Sequence, residues 1–353
     1  MKILVINPGS TTTKVALFEA LTLLKEKKIN HSNQELARFD SIGDQLDMRV
    51  ERVSEFLDEE GMNPSDLDVI VARGGMLPPV RHGAYRVDEA LVETLLERPA
   101  EQHASNLGAG IAFRLARPHD IPAYIYDSVS VDELEPVARL SGVKGYDRRS
   151  FSHVLNTRAV AREIARQEGF DLEETNVIVA HLGGGISLNL QSNGSLIDVV
   201  SADEGPYSTE RAGSLPVFSS VQIVKDQGVD ALYKYETGLG GLLSYTGSND
   251  AVAIETRALE GDEESLLLYQ GIAYQTAKAI GGLATVVGGQ VRAIILTGGM
   301  ARSNLVTDAI KTSVAFIAPV YVYPGELEME ALAAGAWRVM RSEEEARVFK
   351  PDR

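Results

Sequence analysis

The chain contains no cysteine in its 353 residues. That excludes disulfides and thiolate metal sites, and it suits a reducing compartment, so a cytoplasmic protein is expected. Positive charge is also scarce: 34 Lys and Arg stand against 50 Asp and Glu, a formal net charge of −16. Nucleic acid is excluded as a general partner, because phosphate backbones are held by clustered Lys and Arg. A few local cations still suffice for a small anionic ligand. No apolar run approaches the roughly 20 residues of a membrane helix. The most apolar stretch, Ala277–Val287, is interrupted by Gly281 and Gly282. The N-terminus has no long apolar segment before a cleavage site, so neither a secretory leader nor a membrane partner is expected. Hydrophobic residues at 44% and charged residues at 24% leave the composition of a soluble globular chain, long enough for two cores.

What is present is organised around residues 3–18, ILVINPGSTTTKVALF. An apolar strand, Ile3–Ile6, enters a turn of glycine and hydroxyls, Asn7–Thr12, and an alternating run, Thr13–Phe18, leaves it. A Walker loop or dinucleotide fingerprint places its glycines between a strand and a helix. Here β-branched, alternating residues follow, so a β-hairpin is predicted. Its turn would offer backbone N–H groups and the hydroxyls of Ser10, Thr11 and Thr12 to a phosphate. Pro8-Gly9-Ser10 is equally ordinary turn chemistry.

Periodicity predicts a helix over Asp44–Glu60, with Leu46, Val50, Val53 and Leu57 on one face, then a strand at Asp68–Ala72 running into Arg73-Gly74-Gly75. Helices follow at Asp88–Glu97 and Ser105–Ala116, and a strand, Ala123–Tyr126, ends at Asp127. Weak periodicity over 133–149 marks a boundary, giving domains 1–147 and 148–353. In the second, Val154–Glu168 reads as a helix. Val177–Ala180, the turn Leu182–Gly185 and Ile186–Leu190 then repeat the opening pattern. A long helix over Glu263–Val287, a strand ending at Thr297-Gly298-Gly299 and a last helix over Glu326–Arg341 complete an α/β chain of two similar domains.

Four glycine turns therefore follow strands, at Gly9, Gly74–Gly75, Gly183–Gly185 and Gly298–Gly299. Ligands of open α/β sheets bind at the carboxyl ends of strands, and a phosphate-rich ligand fits four such turns. Their simpler reading is a need for positive φ. The candidate cations are Lys14, Arg73, His153, His181 and Arg211, of which the two arginines sit in loops suited to clamping carboxylate or phosphate. His181, at a strand end, also suits a structural hydrogen bond. Candidate acids are Asp127 and the trio Glu326, Glu328 and Glu330, which would either complement a helix dipole or serve Mg²⁺ beside nucleotide phosphates.

In combination, NPGSTTTK, RGG at 73–75, the block HASNLGAGIA, YDS at 126–128, SFSHVLN, HLGGGIS, ERAGSLP, LTGGMARS and PGELEMEAL resemble the acetate/butyrate kinase family of the actin-like ATPase superfamily. The resemblance runs from residue 1 to about residue 341. Where acetate kinases carry HRVVHGGE and GFHGTSH, this chain has ARGGMLPP and RSFSHVLN, which points to the butyrate and branched-chain fatty acid kinases. The resemblance implies duplicated ribonuclease H-like domains with mixed sheets flanked by helices and a central cleft. It implies an acceptor side in 1–147, and a nucleotide side with the oligomer contact in 148–353. It implies catalytic roles for Arg73, Arg211, His153 and Asp127. Asn7, Ser10, Lys14, His181, Gly183, Gly184, Gly185, Gly298 and Gly299 would contact the nucleotide, and Glu328 or Glu330 would serve Mg²⁺.

The implied reaction transfers a phosphoryl group from ATP to a short-chain carboxylate, giving ADP and an acyl phosphate, in a homo-oligomer. A carboxylate is already ionised at neutral pH, so no general base is needed. Charge shielding is needed, and arginines with Mg²⁺ supply it. Acetate or propionate in place of butyrate stays open, as does a hydroxyl-accepting kinase of the same superfamily, which would need a base. A non-catalytic actin- or chaperone-like nucleotide switch is the reading from another class.

Overall fold

A computed structural model describes residues 1–351. The chain forms two compact units, one of Met1–Asp132 with Leu327–Arg353 and one of Glu133–Glu326. The split expected at 147/148 runs elsewhere. Residues 133–147 group with the second unit, and the last helix returns to the first. That helix, Glu328–Met340, buries Met329, Leu332, Ala333 and Ala336 and packs on the strands of the first sheet. Close approach helps, since a Cβ on Gly335 would lie 2.5 Å from the Tyr126 ring.

The first sheet contains β1 (Lys2–Pro8), β2 (Thr12–Glu19), β3 (Thr22–Asn30), β4 (Val69–Arg73), β5 (Ala84–Arg86) and β6 (Ala123–Tyr126). Its order is β5-β6-β4-β1-β2-β3, with the short strand Arg347–Val348 beside β5. Ile3–Ile6 and Val69–Ala72 are wholly buried, which is why they read as continuous apolar runs rather than alternating ones. The β1–β2 hairpin places Asn7 opposite Lys14. The polar segment after the hairpin continues the sheet as β3.

The second sheet contains β7 (Asn176–Leu182), β8 (Ile186–Ser192), β9 (Ser195–Val200), β10 (Ala293–Gly298) and β11 (Val320–Pro324), in the order β11-β10-β7-β8-β9. The repeated pattern in the sequence is thus a repeated topology. Three antiparallel strands, β1-β2-β3 and β7-β8-β9, each continue into two parallel ones, β4-β6 and β10-β11. Even the register shift recurs, at Leu17/Phe18 and at Leu190/Gln191. The second core gathers Ile178, Leu188, Ile294 and Leu296 against Tyr269, Ile272 and Ile280 of the long Glu263–Val286 helix. The molecule is α/β, two mixed sheets flanked by helices, as the sequence pattern leads one to expect. Among the described residues no helix is long and apolar enough to cross a membrane.

Candidate active site

In the first unit β1, β4 and β6 are mutually parallel, so their carboxyl ends share one edge of the sheet, the usual ligand edge of an α/β protein. Asn7, Arg73 and Asp127 stand at those ends. Buried Asn7 donates its Nδ2 to Glu328 Oε2 at 2.7 Å, and Glu328 Oε1 lies 3.3 Å from Arg73 Nη1. Glu328 opens its helix, where the dipole favours a carboxylate. Lys14 is half-buried opposite Asn7, and Ser10 is exposed at the hairpin tip. Glu330, two residues further along the helix, is exposed and outside this group.

Asp127 adopts φ 39°, a left-handed conformation that costs a non-glycine residue energy and marks constrained strand ends. Its Oδ1 accepts from the N–H of Gly83 at 2.7 Å, and its own N–H donates to Gly83 O at 3.2 Å. The glycines after Arg73 answer to crowding instead of positive φ. A Cβ on Gly74 would sit 2.6 Å from Ser128 Cβ, and one on Gly75 2.6 Å from Asn106 Cα. Leu77 and Val80, which follow, are core residues.

One residue of this unit escaped the periodicity reading. Arg49, on the Leu46–Glu59 helix, is 0% exposed and reaches the hairpin turn. Its Nη1 donates to Gly9 O at 2.8 Å, Thr12 O at 3.0 Å and Thr13 Oγ1 at 3.1 Å. Its Nη2 donates to Ser10 O at 3.0 Å and to Gln45 Oε1 at 2.9 Å. Burial pulls its pKa down to about 10. Thr13 Oγ1 also lies 2.9 Å from Nε2 of His31, whose pKa is lowered by burial and then by Arg49. The available signal was position: Arg49 falls within the apolar stripe that contains Leu46 and Val53.

In the second unit β7, β10 and β11 are parallel, and the glycine turn Gly183–Gly185 caps the β7–β8 hairpin. His181 and His153 stack with ring centroids 3.8 Å apart. His153 Nδ1 lies 2.8 Å from Ser187 Oγ. Asn156 Nδ2 lies 3.0 Å from His181 Nδ1 and 3.4 Å from Thr297 Oγ1, which itself donates to Gly325 O. The Asn156 amide therefore donates to His181 Nδ1, and the network assigns the His181 proton to Nε2. That nitrogen is 3.7 Å from Glu326 Oε1, and a Cβ on Gly183 would come within 2.9 Å of it.

Arg211 completes the group. Ser208 Oγ donates to Gly184 O at 2.6 Å and accepts from Arg211 N at 3.1 Å, which docks the arginine loop on the glycine turn. The guanidinium lies against Gly185, where a Cβ would be 2.9 Å from Nη1 and 3.0 Å from Cζ. Among the described residues no carboxylate lies within ion-pair distance of Arg211, unlike Arg73. From behind, Ala212 N–H donates to Tyr235 O at 2.9 Å and Gly240 N–H to Glu210 O at 2.8 Å. Tyr235–Leu239 is a single π turn, a feature common near functional sites. Leu215, Ile223, Tyr207 and Tyr245 line a cavity of about 240 Å³ behind this loop. Gly298 alone among the glycines proposed to meet the ligand has a positive φ, 90°, and exchanges hydrogen bonds with Gly325 at 3.0 and 2.9 Å. Nothing lies within 4 Å of a Cβ built on Gly299, so that turn is open above.

These residues suit the groups the sequence implied. An open glycine turn and an arginine without a carboxylate partner fit nucleotide phosphates. Among the described residues no three metal-ligating side chains cluster. Mg²⁺ usually takes one or two carboxylates plus substrate phosphates, and Glu328 matches that habit better than exposed Glu330.

Solved structures of acetate and propionate kinases are among those that resemble this one. Porphyromonas gingivalis acetate kinase does so with TM-score 0.79 and 18% identity, over 96% of this chain and 99% of that one. A propionate kinase from Francisella tularensis subsp. tularensis SCHU S4 gives TM-score 0.76 and 17% identity over 94% and 98%. Entamoeba histolytica acetate kinase gives 0.76 and 18% over 95% and 98%. At such identities the likeness establishes the fold alone, which this chain shares with those three kinases. Residues 134–318, more than half of the sequence, match the Acetokinase family, and the chain belongs to it.

Proposed function

We propose that this acetokinase-family member is a carboxylate kinase that transfers the γ-phosphoryl group of ATP, reversibly, to butyrate or a related short or branched-chain fatty acid. A carboxylate oxygen forms the new bond to phosphorus as the bond to the β-phosphate oxygen breaks. The products are an acyl phosphate and ADP, with no net proton transfer at neutral pH. The observation that carries this reading is Arg211, fixed over Gly185 with no carboxylate within ion-pair distance among the described residues. Two anions about 4 Å apart repel by about 4 kcal/mol at an effective dielectric near 20, so the reaction needs a cation held in advance.

The remaining residues divide by role. In the second unit Gly183–Gly185, His181, Gly298 and Gly299 would hold the nucleotide, with His153 stabilising the moving phosphoryl group. In the first unit Asn7, Ser10 and Lys14 would meet the terminal phosphate, and Arg73 and Asp127 would position the acceptor. Glu328 would hold Mg²⁺, which supplies charge neutralisation on the phosphates when bound. Asn7 itself argues against a hydroxyl acceptor. Its amide is committed as a donor to Glu328 and is no base. Butyrate over acetate rests on ARGGMLPP and RSFSHVLN, where this chain departs from the acetate kinase pattern.

A second copy of the chain is the expected partner. The Val217–Gln227 helix buries no residue, and Val217, Phe218, Val221 and Val224 stand exposed. Light scattering that finds only monomer at micromolar concentration would remove this part of the proposal. The function itself is tested with ATP, Mg²⁺ and hydroxylamine over acids from acetate to hexanoate and their branched isomers. Acyl hydroxamate, strongest with four-carbon acids, is expected. None with any acid would overturn the reading, and a maximum at acetate would overturn the choice of acceptor.

A further inference from the structure

The hairpin turn of residues 8–12 is held from below by a single cation, and the way it is held decides which of its groups face outward. The turn closes through Gly9 N–H to Thr12 O at 2.7 Å. Three carbonyls of the turn share one partner. Those of Gly9, Ser10 and Thr12 all converge on the buried guanidinium of Arg49, at 2.8, 3.0 and 3.0 Å. In a trans peptide the C=O and the following N–H point in opposite directions. Drawing Gly9 O and Ser10 O inward therefore turns the N–H groups of Ser10 and Thr11 outward.

Both of these residues are exposed, and among the described residues neither N–H has a hydrogen-bond partner. Two successive outward N–H groups make an anion-binding nest. Arg49 also polarises the two peptides, adding positive character at their N–H ends. It has no carboxylate within ion-pair distance among the described residues. Gln45 Oε1 and Thr13 Oγ1 are its other acceptors, and both are neutral. A positive charge is thus kept beneath the turn, met at hydrogen-bond distance by neutral backbone and side-chain dipoles, with the Glu35 carboxylate acting on it only from farther off.

We propose that Arg49 is a positioning residue that presets the Ser10 and Thr11 N–H groups for the terminal phosphate of the nucleotide, without touching the nucleotide itself. The inference rests on the reading above that this turn meets phosphate. It explains why an arginine stands in the apolar stripe of the Leu46–Glu59 helix, where a leucine would pack at less desolvation cost. Lysine would not replace it, because one ammonium cannot reproduce a planar fork over three carbonyls and an amide.

The test follows backbone amide resonances of isotope-labelled protein during titration with Mg²⁺-ATP. In the wild type, Ser10 and Thr11 should shift along with Gly298 and Gly299. In Arg49→Met, Gly298 and Gly299 should still respond, while Ser10 and Thr11 should not. Acyl hydroxamate formation should then show kcat lower by at least roughly tenfold, the scale of a misplaced contact, with KM for the carboxylate within threefold. If Arg49→Met does not fold, Arg49→Lys and Gln45→Met take its place, each with a partial loss of the Ser10 and Thr11 response.

Silent Ser10 and Thr11 amides in the wild type would overturn the proposal. So would a folded variant that keeps both the response and its kcat. A wild type that forms no acyl hydroxamate, yet shifts Ser10 and Thr11 with Mg²⁺-ATP, would refute the proposed function and support the role of Arg49.

Discussion

His153 and His181 lie face to face, ring centroids 3.8 Å apart and planes 10° from parallel. Each ring is also tied from its edge, His153 to Ser187 and His181 to Asn156. Neither ring can turn without displacing the other, so the pair is one structural element presented beside the glycine turn.

The first prediction follows from that coupling. His153→Asn and His181→Asn should each lower kcat by roughly 10²-fold, the cost of one preorganised donor. The double variant should lose little more than the worse single one, because residues that act as a unit are not additive. A double loss equal to the product of the two would mean that the rings act independently.

The sequence made much of this legible, for identifiable reasons. Both hairpins were readable because β-branched alternation after a glycine turn has no helical interpretation. The β5 strand, Ala84–Arg86, was not, since three residues carry no period. The Ala251–Leu259 helix was missed too: it is short and leaves Val252 and Leu259 exposed. Arg49 was hidden because a charge on an amphipathic helix normally faces water, and only the turn packed above it shows otherwise. The different surroundings of Glu328 and exposed Glu330 were not legible, because Asn7, the hydrogen-bond donor to Glu328, lies 321 residues away. The glycine turns do follow strands, but the simpler reading of positive φ holds for Gly298 alone among them. Gly74, Gly75, Gly183 and Gly185 are needed for close approach, and Gly298 for its φ.

Gly185 gives the second prediction. Alanine there would place its Cβ 2.9 Å from Arg211 Nη1 and push the guanidinium off its seat. The backbone needs no positive φ at this position, so the fold should survive with Tm within about 2 °C, as expected for well under 1 kcal/mol. kcat should fall roughly 10²-fold, as for a displacement of about 1 Å. Unchanged kcat in Gly185→Ala would separate Arg211 from the chemistry.

The third concerns pH and stability. Burial, with Asp203 nearby, raises the Glu236 carboxyl to about 7, and its Oε2 is buried without a hydrogen-bond partner among the described residues. The folded state thus keeps a proton that the unfolded chain releases from its ordinary 4.5 upward. Stability from this group therefore falls as pH rises from about 4.5 to about 7, and the full penalty stands above that. Glu236→Gln should raise stability at pH 8 by on the order of 1 kcal/mol, allowing for partial exposure, and change little near pH 4.5. Thermal melts of both proteins across this range give the answer. Parallel curves would show that Glu236 titrates normally.

The last prediction separates the two glutamates at the start of the terminal helix. Glu328 is held by Asn7 Nδ2 at 2.7 Å and balances Arg73 at 3.3 Å. Glu330 is exposed, with neither partner. Glu328→Gln keeps the shape but deletes the charge, which leaves Arg73 without its counter-ion and removes the carboxylate proposed above to hold Mg²⁺. Its apparent Mg²⁺ requirement should rise roughly tenfold or more, with kcat falling on the scale of a lost electrostatic contact, roughly 10²-fold. Glu330→Gln should stay within twofold on both measures, since an exposed carboxylate with no partner contributes little. An Arg73→Met variant distinguishes the two consequences of losing Glu328. If Mg²⁺ dependence is normal there while KM for the carboxylate rises, Glu328 acts on the metal and Arg73 on the acceptor. If the Mg²⁺ requirement shifts in Arg73→Met as it does in Glu328→Gln, the ion pair works as a single element and the division of roles is wrong.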